Sequence, residues 1–322
     1  MPDRNNDSVG VGLSAPGKLL EVEGLSVAFN TPYGRFTAVE DVSFEVAPGE
    51  IFSIVGESGS GKTVTALSTM GLIGGGRGEV SAGRISYRGT DLLQLSERDW
   101  RSIRGTEISM IFQDPMTSLN PLFPVGDQIA EVLRIHDDLN KKESLEVAID
   151  MLSQVGIPNP ARRAKQFPHQ FSGGMRQRAM IAMAMIGQPS LLIADEPTTA
   201  LNVTIQAQIL DLLADIREPR GTAILLITHD LGVVAGFSDR VMVMYGGNVH
   251  ELGTTQQVYY ESRGPYTWGL LDTIPRVDGA PGVDLKPIPG SPPSAANPPV
   301  GCRFEPRCEH AVEICGVEAP PL

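Results

Sequence analysis

The sequence predicts an α/β fold built on a parallel sheet, and three observations predict it. Gly56-Glu57-Ser58-Gly59-Ser60-Gly61-Lys62-Thr63 matches the phosphate-binding pattern G-x-x-x-x-G-K-[ST]. It stands between a short β-branched run, Ile51 to Val55, and a stretch with helical spacing, Val64 to Leu72. Two further apolar runs, Leu191 to Ala194 and Ala223 to Ile227, are followed at once by Asp195-Glu196 and by Thr228-His229-Asp230. An open α/β sheet places its ligand at such carboxyl ends of strands.

The elements follow in order. Met1 to Gly12 is polar, lacks the apolar centre of a secretory signal, and belongs to a disordered lead-in over 1–17. Leu19–Phe29 and Thr37–Val46 alternate apolar and polar residues across a turn at Asn30–Gly34, which predicts an antiparallel pair ahead of the first parallel strand. Gly71–Gly83 is glycine-rich and reads as a loop. Ile108–Phe112 is a short apolar run that ends in Gln113-Asp114-Pro115, and Pro121, Pro124 and Gly126 continue the loop. Val125–Leu133 and Leu145–Val155 carry helical spacing, so 91–170 reads as mostly helical. Ser172 is an N-cap candidate for a helix with an apolar face at Met175, Ala179, Met183 and Ile186, where the methionines read as packing. Leu201–Ile216 predicts another helix, and Val241–Tyr245, Gly246-Gly247-Asn248 and Val249–Leu252 a hairpin.

The chemistry these residue types favour is phosphate handling. Glycines at 56, 59 and 61 let the backbone curl so that the amides along Ser58 to Ser60 turn inward, and the following helix adds its positive end. Lys62 then reaches the β- and γ-phosphates and the Thr63 hydroxyl binds Mg²⁺. Asp195 is placed to bind the metal directly or through water, Glu196 to polarise an attacking water, and His229 to contact the γ-phosphate. Composition bounds the alternatives. The chain of 322 residues has 41% hydrophobic and 20% charged content, the values of an ordinary globular protein with room for one large domain and an extension. A net charge of −12 argues against a nucleic-acid partner, because nothing supplies a basic stripe. No apolar stretch is long enough to span a bilayer. Cys302, Cys308 and Cys315 all lie near the end, so the main body has no disulfide framework and reads as cytosolic.

Phe171-Ser172-Gly173-Gly174-Met175-Arg176-Gln177-Arg178, standing between the phosphate loop and Asp195, makes the whole resemble the nucleotide-binding subunit of an ATP-binding-cassette (ABC) transporter. The resemblance covers nearly everything after Lys18. It implies an ABC-type P-loop NTPase core with an antiparallel β subdomain and a helical subdomain, over 18–255 with the helical part about 91–175, and an irregular extension over 256–322. It implies that Phe29 stacks on adenine, that Gly56–Thr63 is the Walker A loop and Leu191–Glu196 the Walker B strand, and that Glu196 is the catalytic base. It makes Gln113 the residue that touches metal or water and relays nucleotide state to the membrane partner, and His229 the switch histidine. Ser172, Gly173 and Gly174 form the signature loop, contacting nucleotide held by a second such subunit. Thr199-Ala200-Leu201-Asn202 departs from the family's S/T-A-L-D, and the amide at Asn202 predicts weaker coupling between the two sites and an asymmetric pair. The groove from Gln113 to Pro124, with Met116, Leu119 and Leu122, is the expected seat of a permease helix.

The last third refines the resemblance. Gly264-Pro265-Tyr266-Thr267, the proline-rich 288–299 and Gly301-Cys302-Arg303-Phe304-Glu305-Pro306-Arg307-Cys308 resemble the extension of ATPase subunits from dipeptide and oligopeptide importers, whose relatives import nickel or glutathione. The resemblance implies ATP hydrolysis on the cytoplasmic face of the membrane. The implied partners are two permeases, a second and paralogous ATPase, and an extracytoplasmic solute-binding protein. It also implies a structural [4Fe–4S] cluster on Cys302, Cys308 and Cys315, which needs a fourth thiolate. Either that ligand lies beyond Leu322, or another group replaces it, or no cluster assembles. A soluble cassette acting on DNA is disfavoured, because the gap between Walker A and signature is short and lacks heptads.

Overall fold

The computed structural model describes residues 17–32, 34–74, 78–114, 118–198, 203–274 and 287–322. Two sheets organise them. The first is antiparallel in the order β2-β1-β4-β5, from β1 (Leu20–Thr31), β2 (Gly34–Val46), β4 (Gly78–Tyr87) and β5 (Thr90–Asp91). The second has six strands in the order β10-β9-β3-β8-β7-β6: β3 (Ile51–Val55), β6 (Ile108–Ile111), β7 (Leu191–Asp195), β8 (Ala223–Thr228), β9 (Arg240–Tyr245) and β10 (Asn248–Thr254). Its five central strands run parallel and only β10 is antiparallel, at the edge.

The strand sequences explain this arrangement. β3, β7 and β8 are buried at every position, as strands covered on both faces must be, and their sequences are correspondingly continuous in apolar residues. Alternate side chains serve different cores. Leu192, Ala194, Ile224 and Leu226 face a helical cluster, while Leu191, Ile193, Leu225 and Ile227 join the antiparallel sheet through residues such as Val22, Val42 and Ile85.

The helices are α1 (Lys62–Thr69), α2 (Glu97–Ile103), α3 (Val125–Ile129), α4 (Glu131–His136), α5 (Lys141–Gln154), α6 (Pro160–Arg163), α7 (Gly173–Met185), α8 (Val203–Arg217), α9 (Leu231–Val234), α10 (Thr255–Tyr260) and α11 (Pro265–Asp272). Asn140 begins α5 with a capping box, its side chain accepting from the amides of Lys142 and Glu143. The helical stretch expected from Val125 to Leu133 is two short helices that meet at Ala130.

One expectation fails. Gly71–Gly83 reads as a loop, yet β4 begins at Gly78 and pairs along β1. Its strand pattern is interrupted by a bulge. The register slips between Glu23 and Ser26, and opposite that slip Gly83 takes φ +98°, where a Cβ would run into the backbone of Glu23 and Gly24. Helical spacing also fails to define α7. Its buried residues include Gln177 and Ala179 to Ala182, whereas Met175 and Met183 are only partly buried, because this helix is covered on most sides.

Residues 287–322 contain two 3₁₀ turns, Glu305–Arg307 and Glu313–Gly316, among irregular backbone. The segment is anchored by Phe304, whose ring lies 5.3 Å from that of Tyr245 and 5.2 Å from that of Tyr266. Burying such a ring contributes roughly 1.5–3 kcal/mol.

Candidate functional site

Strand register assembles the site. Val55 lies opposite Thr228 on one side and Val243 on the other, Asp195 opposite Ile227, and Ile111 opposite Ala194. The segments that follow β3, β6, β7 and β8 therefore leave the sheet at one edge. Those segments hold Gly56–Thr63, Gln113, Glu196 and His229.

Gly56 must be glycine, since a Cβ there would strike the Met244 carbonyl oxygen on β9. The loop then turns into α1, whose first two residues are Lys62 and Thr63. The Lys62 ammonium is buried and donates to the carbonyls of Gly56 (2.7 Å) and Glu57 (2.9 Å). Burial pulls its pKa below the ordinary lysine range, and the charges of Glu196, Asp195 and Glu57 oppose that shift. Ser60 Oγ is buried with no hydrogen-bond partner among the described residues. Leaving a buried hydroxyl unpaired costs about 1–3 kcal/mol, so this loop is poised for an external acceptor.

Thr63 Oγ1 donates to Asp195 Oδ1 across 3.2 Å. Burial raises the Asp195 pKa above the usual carboxylate range, and the Thr63 hydrogen bond works against it. A hydroxyl and a carboxylate side by side are hard oxygen ligands of the kind Mg²⁺ prefers, so these residues fit that ion. They are the pair that would hold it, and its chemistry there is to neutralise phosphate charge.

Glu196 is the most constrained residue of the site. Its backbone takes φ +45°, unusual for a residue with a side chain, and its amide donates to the Ile227 carbonyl at 2.8 Å. The carboxylate is gripped from two sides. Gln113 Nε2 donates to Oε2 at 3.0 Å, and His229 Nδ1 lies 3.3 Å from Oε1. The Glu196 side chain is 13% exposed and that of His229 56%, so the carboxylate sits inside and the imidazole forms the outer wall. A desolvated carboxylate fixed in this way is suited to orienting a water and taking its proton.

Other expected site residues stand apart from this cluster. Ser172 caps α7 by accepting from the Met175 amide, and a Cβ added to Gly173 or Gly174 would meet nothing within 4 Å. The signature segment thus presents backbone to open surface. Phe29 lies on β1 in the other sheet, stacked on Phe36 with centroids 5.7 Å apart. Asn202 and Met116 lie outside the described residues. Leu119, expected in a docking groove, is buried in the helical core, while Leu122 and Phe123 are exposed.

The cysteine expectation finds no support among the described residues. The three thiols are free and half-buried, and Cys302 donates its amide to the Cys315 carbonyl at 2.7 Å. No group of three or more His, Cys, Asp or Glu among the described residues is arranged to hold a metal ion. These residues do not fit an iron–sulfur cluster as arranged here.

Sequence reasoning missed two sets of contacts. Gln177, buried on α7, donates to the Pro197 carbonyl at 2.5 Å and ties the signature helix to the turn after Glu196. Glu57, a variable position of the phosphate loop, is held by Arg307 and Tyr266. The one available signal was an acid inside a loop built for anions, and its partners are more than two hundred residues away.

Residues 39–199 match the family described as ABC transporter, and residues 250–315 match that described as Oligopeptide/dipeptide transporter, C-terminal region. The chain is 53% identical to the dipeptide transport ATP-binding protein DppD of Bacillus subtilis, across 92% of this chain and 89% of the relative. It is 52% identical to the oligopeptide transport ATP-binding protein OppD of Salmonella typhimurium, across 94% and 90%. A solved dimeric structure of MJ0796, a bacterial ABC transporter cassette, superposes with a TM-score of 0.65 at 25% identity, covering 73% of this chain and 98% of that one.

Proposed function

This chain belongs to the ABC transporter family, and on that premise we propose how it works as the ATP-hydrolysing subunit of a dipeptide or oligopeptide importer. The observation that carries the reading is a single physical unit. A carboxylate, Glu196, held between Gln113 and His229 beside a phosphate loop, is joined in one chain to the peptide-transporter C-terminal region.

ATP binds with its phosphates along the amides of Gly56 to Thr63, near Lys62 and the Ser60 hydroxyl. Thr63 and Asp195 would hold Mg²⁺, which would neutralise phosphate charge. Glu196 orients the attacking water and accepts its proton, His229 closes the γ-phosphate side, and Gln113 reads the state of Glu196 at the protein surface. Phe29 serves the adenine ring. Ser172, Gly173 and Gly174 face the nucleotide of a second ATPase subunit, which we take to be a paralogue, with the weaker coupling assigned to Asn202. The exposed Leu122 and Phe123 are the contact for the permeases, through which an extracytoplasmic binding protein delivers solute. No helix among the described residues is long and apolar enough to cross a membrane. From its likeness to transport ATP-binding proteins we place the chain peripherally, on the cytoplasmic face, where ATP is available.

Uptake of labelled dipeptide and tripeptide by cells lacking this protein tests the reading. Restoration by the wild type but not by Glu196→Gln is the expected result. Uptake that is indifferent to the deletion, or is restored equally by both, would overturn it.

A further inference from the structure

The phosphate loop contains an acid. Glu57 is its second residue, where a carboxylate would repel the polyanion that the loop binds. The structure shows how that charge is handled. Arg307, from the irregular C-terminal segment, donates from Nη1 to Glu57 Oε2 at 2.6 Å and from Nη2 to Oε1 at 3.1 Å. This is the parallel two-pronged pairing in which guanidinium and carboxylate bind most strongly.

Arg307 itself is locked. Its side chain is 5% exposed. Nε donates to the Pro289 carbonyl at 2.7 Å, Nη2 also to the Ile288 carbonyl at 3.3 Å, and Nη1 also to the Tyr245 hydroxyl at 3.0 Å. The same loop residue is gripped through its backbone, because the Glu57 amide donates to the hydroxyl of Tyr266, fully buried on α11, at 2.9 Å. The Glu57 carbonyl in turn accepts from Lys62. A continuous path therefore runs from Arg307 and Tyr266 through Glu57 to the lysine of the phosphate site.

We propose that Arg307 and Tyr266 are positioning residues for ATP, which neutralise Glu57 and hold it away from the phosphates, so that the C-terminal segment sets the nucleotide affinity of the cassette. The inference rests on the reading of Gly56–Thr63 as the ATP site. In this arrangement the segment after β10 is part of the nucleotide machinery, although Arg307 and Tyr266 need not touch the nucleotide.

The test is titration of a fluorescent ATP analogue into the full chain, with KM and kcat measured in parallel for wild type, Arg307→Met, Arg307→Lys, Glu57→Gln, the Arg307→Met/Glu57→Gln double variant and Tyr266→Phe. Removing one partner of a buried pair exposes the loop to the other's charge. Arg307→Met should therefore weaken binding about tenfold, visible in KM more than kcat, and Arg307→Lys should restore part of it. Glu57→Gln alone should cost about threefold or less, and the double variant should match Glu57→Gln, since no stranded carboxylate remains. Additive losses, or an unchanged affinity in Arg307→Met, would overturn the proposal. Should Arg307→Met fail to fold, Tyr266→Phe decides: it keeps the aromatic packing, and wild-type affinity in it would overturn the proposal. Lys62→Ala separates the two readings. If wild type and Lys62→Ala bind the analogue equally, the ATP-site reading itself fails.

Discussion

At Gly56–Thr63 the rest of the chain holds the loop through Glu57, Lys62 and Thr63, whereas at Ser172–Gly174 the backbone faces open space. The phosphate loop is clamped by β9, by α11 and by the C-terminal segment, and its lysine and threonine are held by carbonyls and a carboxylate. The signature segment has one local support, the Ser172 cap, and a buried tie one turn later through Gln177. Both segments are glycine-rich, but for different reasons. Gly56 is required because the neighbouring strand leaves no room for a Cβ. Gly173 and Gly174 have room, so the chain itself does not demand glycine there. That difference marks one side as complete in being held within the chain and the other as open, where we propose that a second subunit acts.

The sharpest way to break the comparison is to test whether the complete side is truly complete. Glu196→Gln removes the proton acceptor while keeping the hydrogen-bonding shape that Gln113 and His229 grip. Turnover should fall about a thousandfold with ATP affinity retained, as single-turnover hydrolysis and nucleotide titration would report. A rate within a few-fold of wild type would move the base elsewhere.

Next in size is Lys62→Ala, which empties the buried centre of the loop. Nucleotide affinity should drop about a hundredfold in the same titration. Gly174→Asp tests the unfinished side. An acid in the first turn of α7 suits the helix terminus, so melting temperature and single-chain ATP binding should be unchanged. ATPase activity of the assembled transporter should fall at least about tenfold, because the carboxylate would meet the partner's nucleotide. Equal activity would mean that this surface meets no nucleotide.

The smallest effect concerns stability. Burial holds the folded-state pKa of Asp195 above its unfolded value, so the folded chain retains a proton more readily. The ionised side chain therefore destabilises the fold progressively as pH rises from the unfolded value to the folded one, and the penalty stays constant above that. Asp195→Asn should raise the melting temperature of the nucleotide-free, Mg²⁺-free chain by a few degrees at neutral pH. The gain should vanish at pH values below the unfolded carboxylate range. A gain that is the same at every pH would show that packing, and not charge, is responsible.

How much of this was legible in the sequence follows the same division. Strand ends carrying Gln113, Asp195, Glu196 and His229 were readable, because buried parallel strands are short apolar runs and their chemistry sits at the carboxyl end. β4 was not readable, since the glycine that permits its bulge also erases the alternation. The buried set of α7 was hidden because a helix covered on most sides has no stripe. The Arg307–Glu57 pair was invisible for another reason. Its two residues lie far apart in the chain, and neither carries a local pattern that points to the other. The three cysteines were conspicuous by spacing, and the structure does not arrange them as a metal site.

The strand order has a consequence for biogenesis. β3, which delivers the chain into the phosphate loop, pairs with β8 and β9, so Ile51 waits for Ile224 and Phe52 for Arg240. On the ribosome the loop is made early, while its flanking strands, β8 and β9, begin only at Ala223 and Arg240. Until then β3 is an apolar strand with both edges open, a state that invites wrong pairing and calls for shielding by chaperones. The nucleotide therefore cannot template the fold from the start, and it meets a formed loop only after β8 and β9 have emerged.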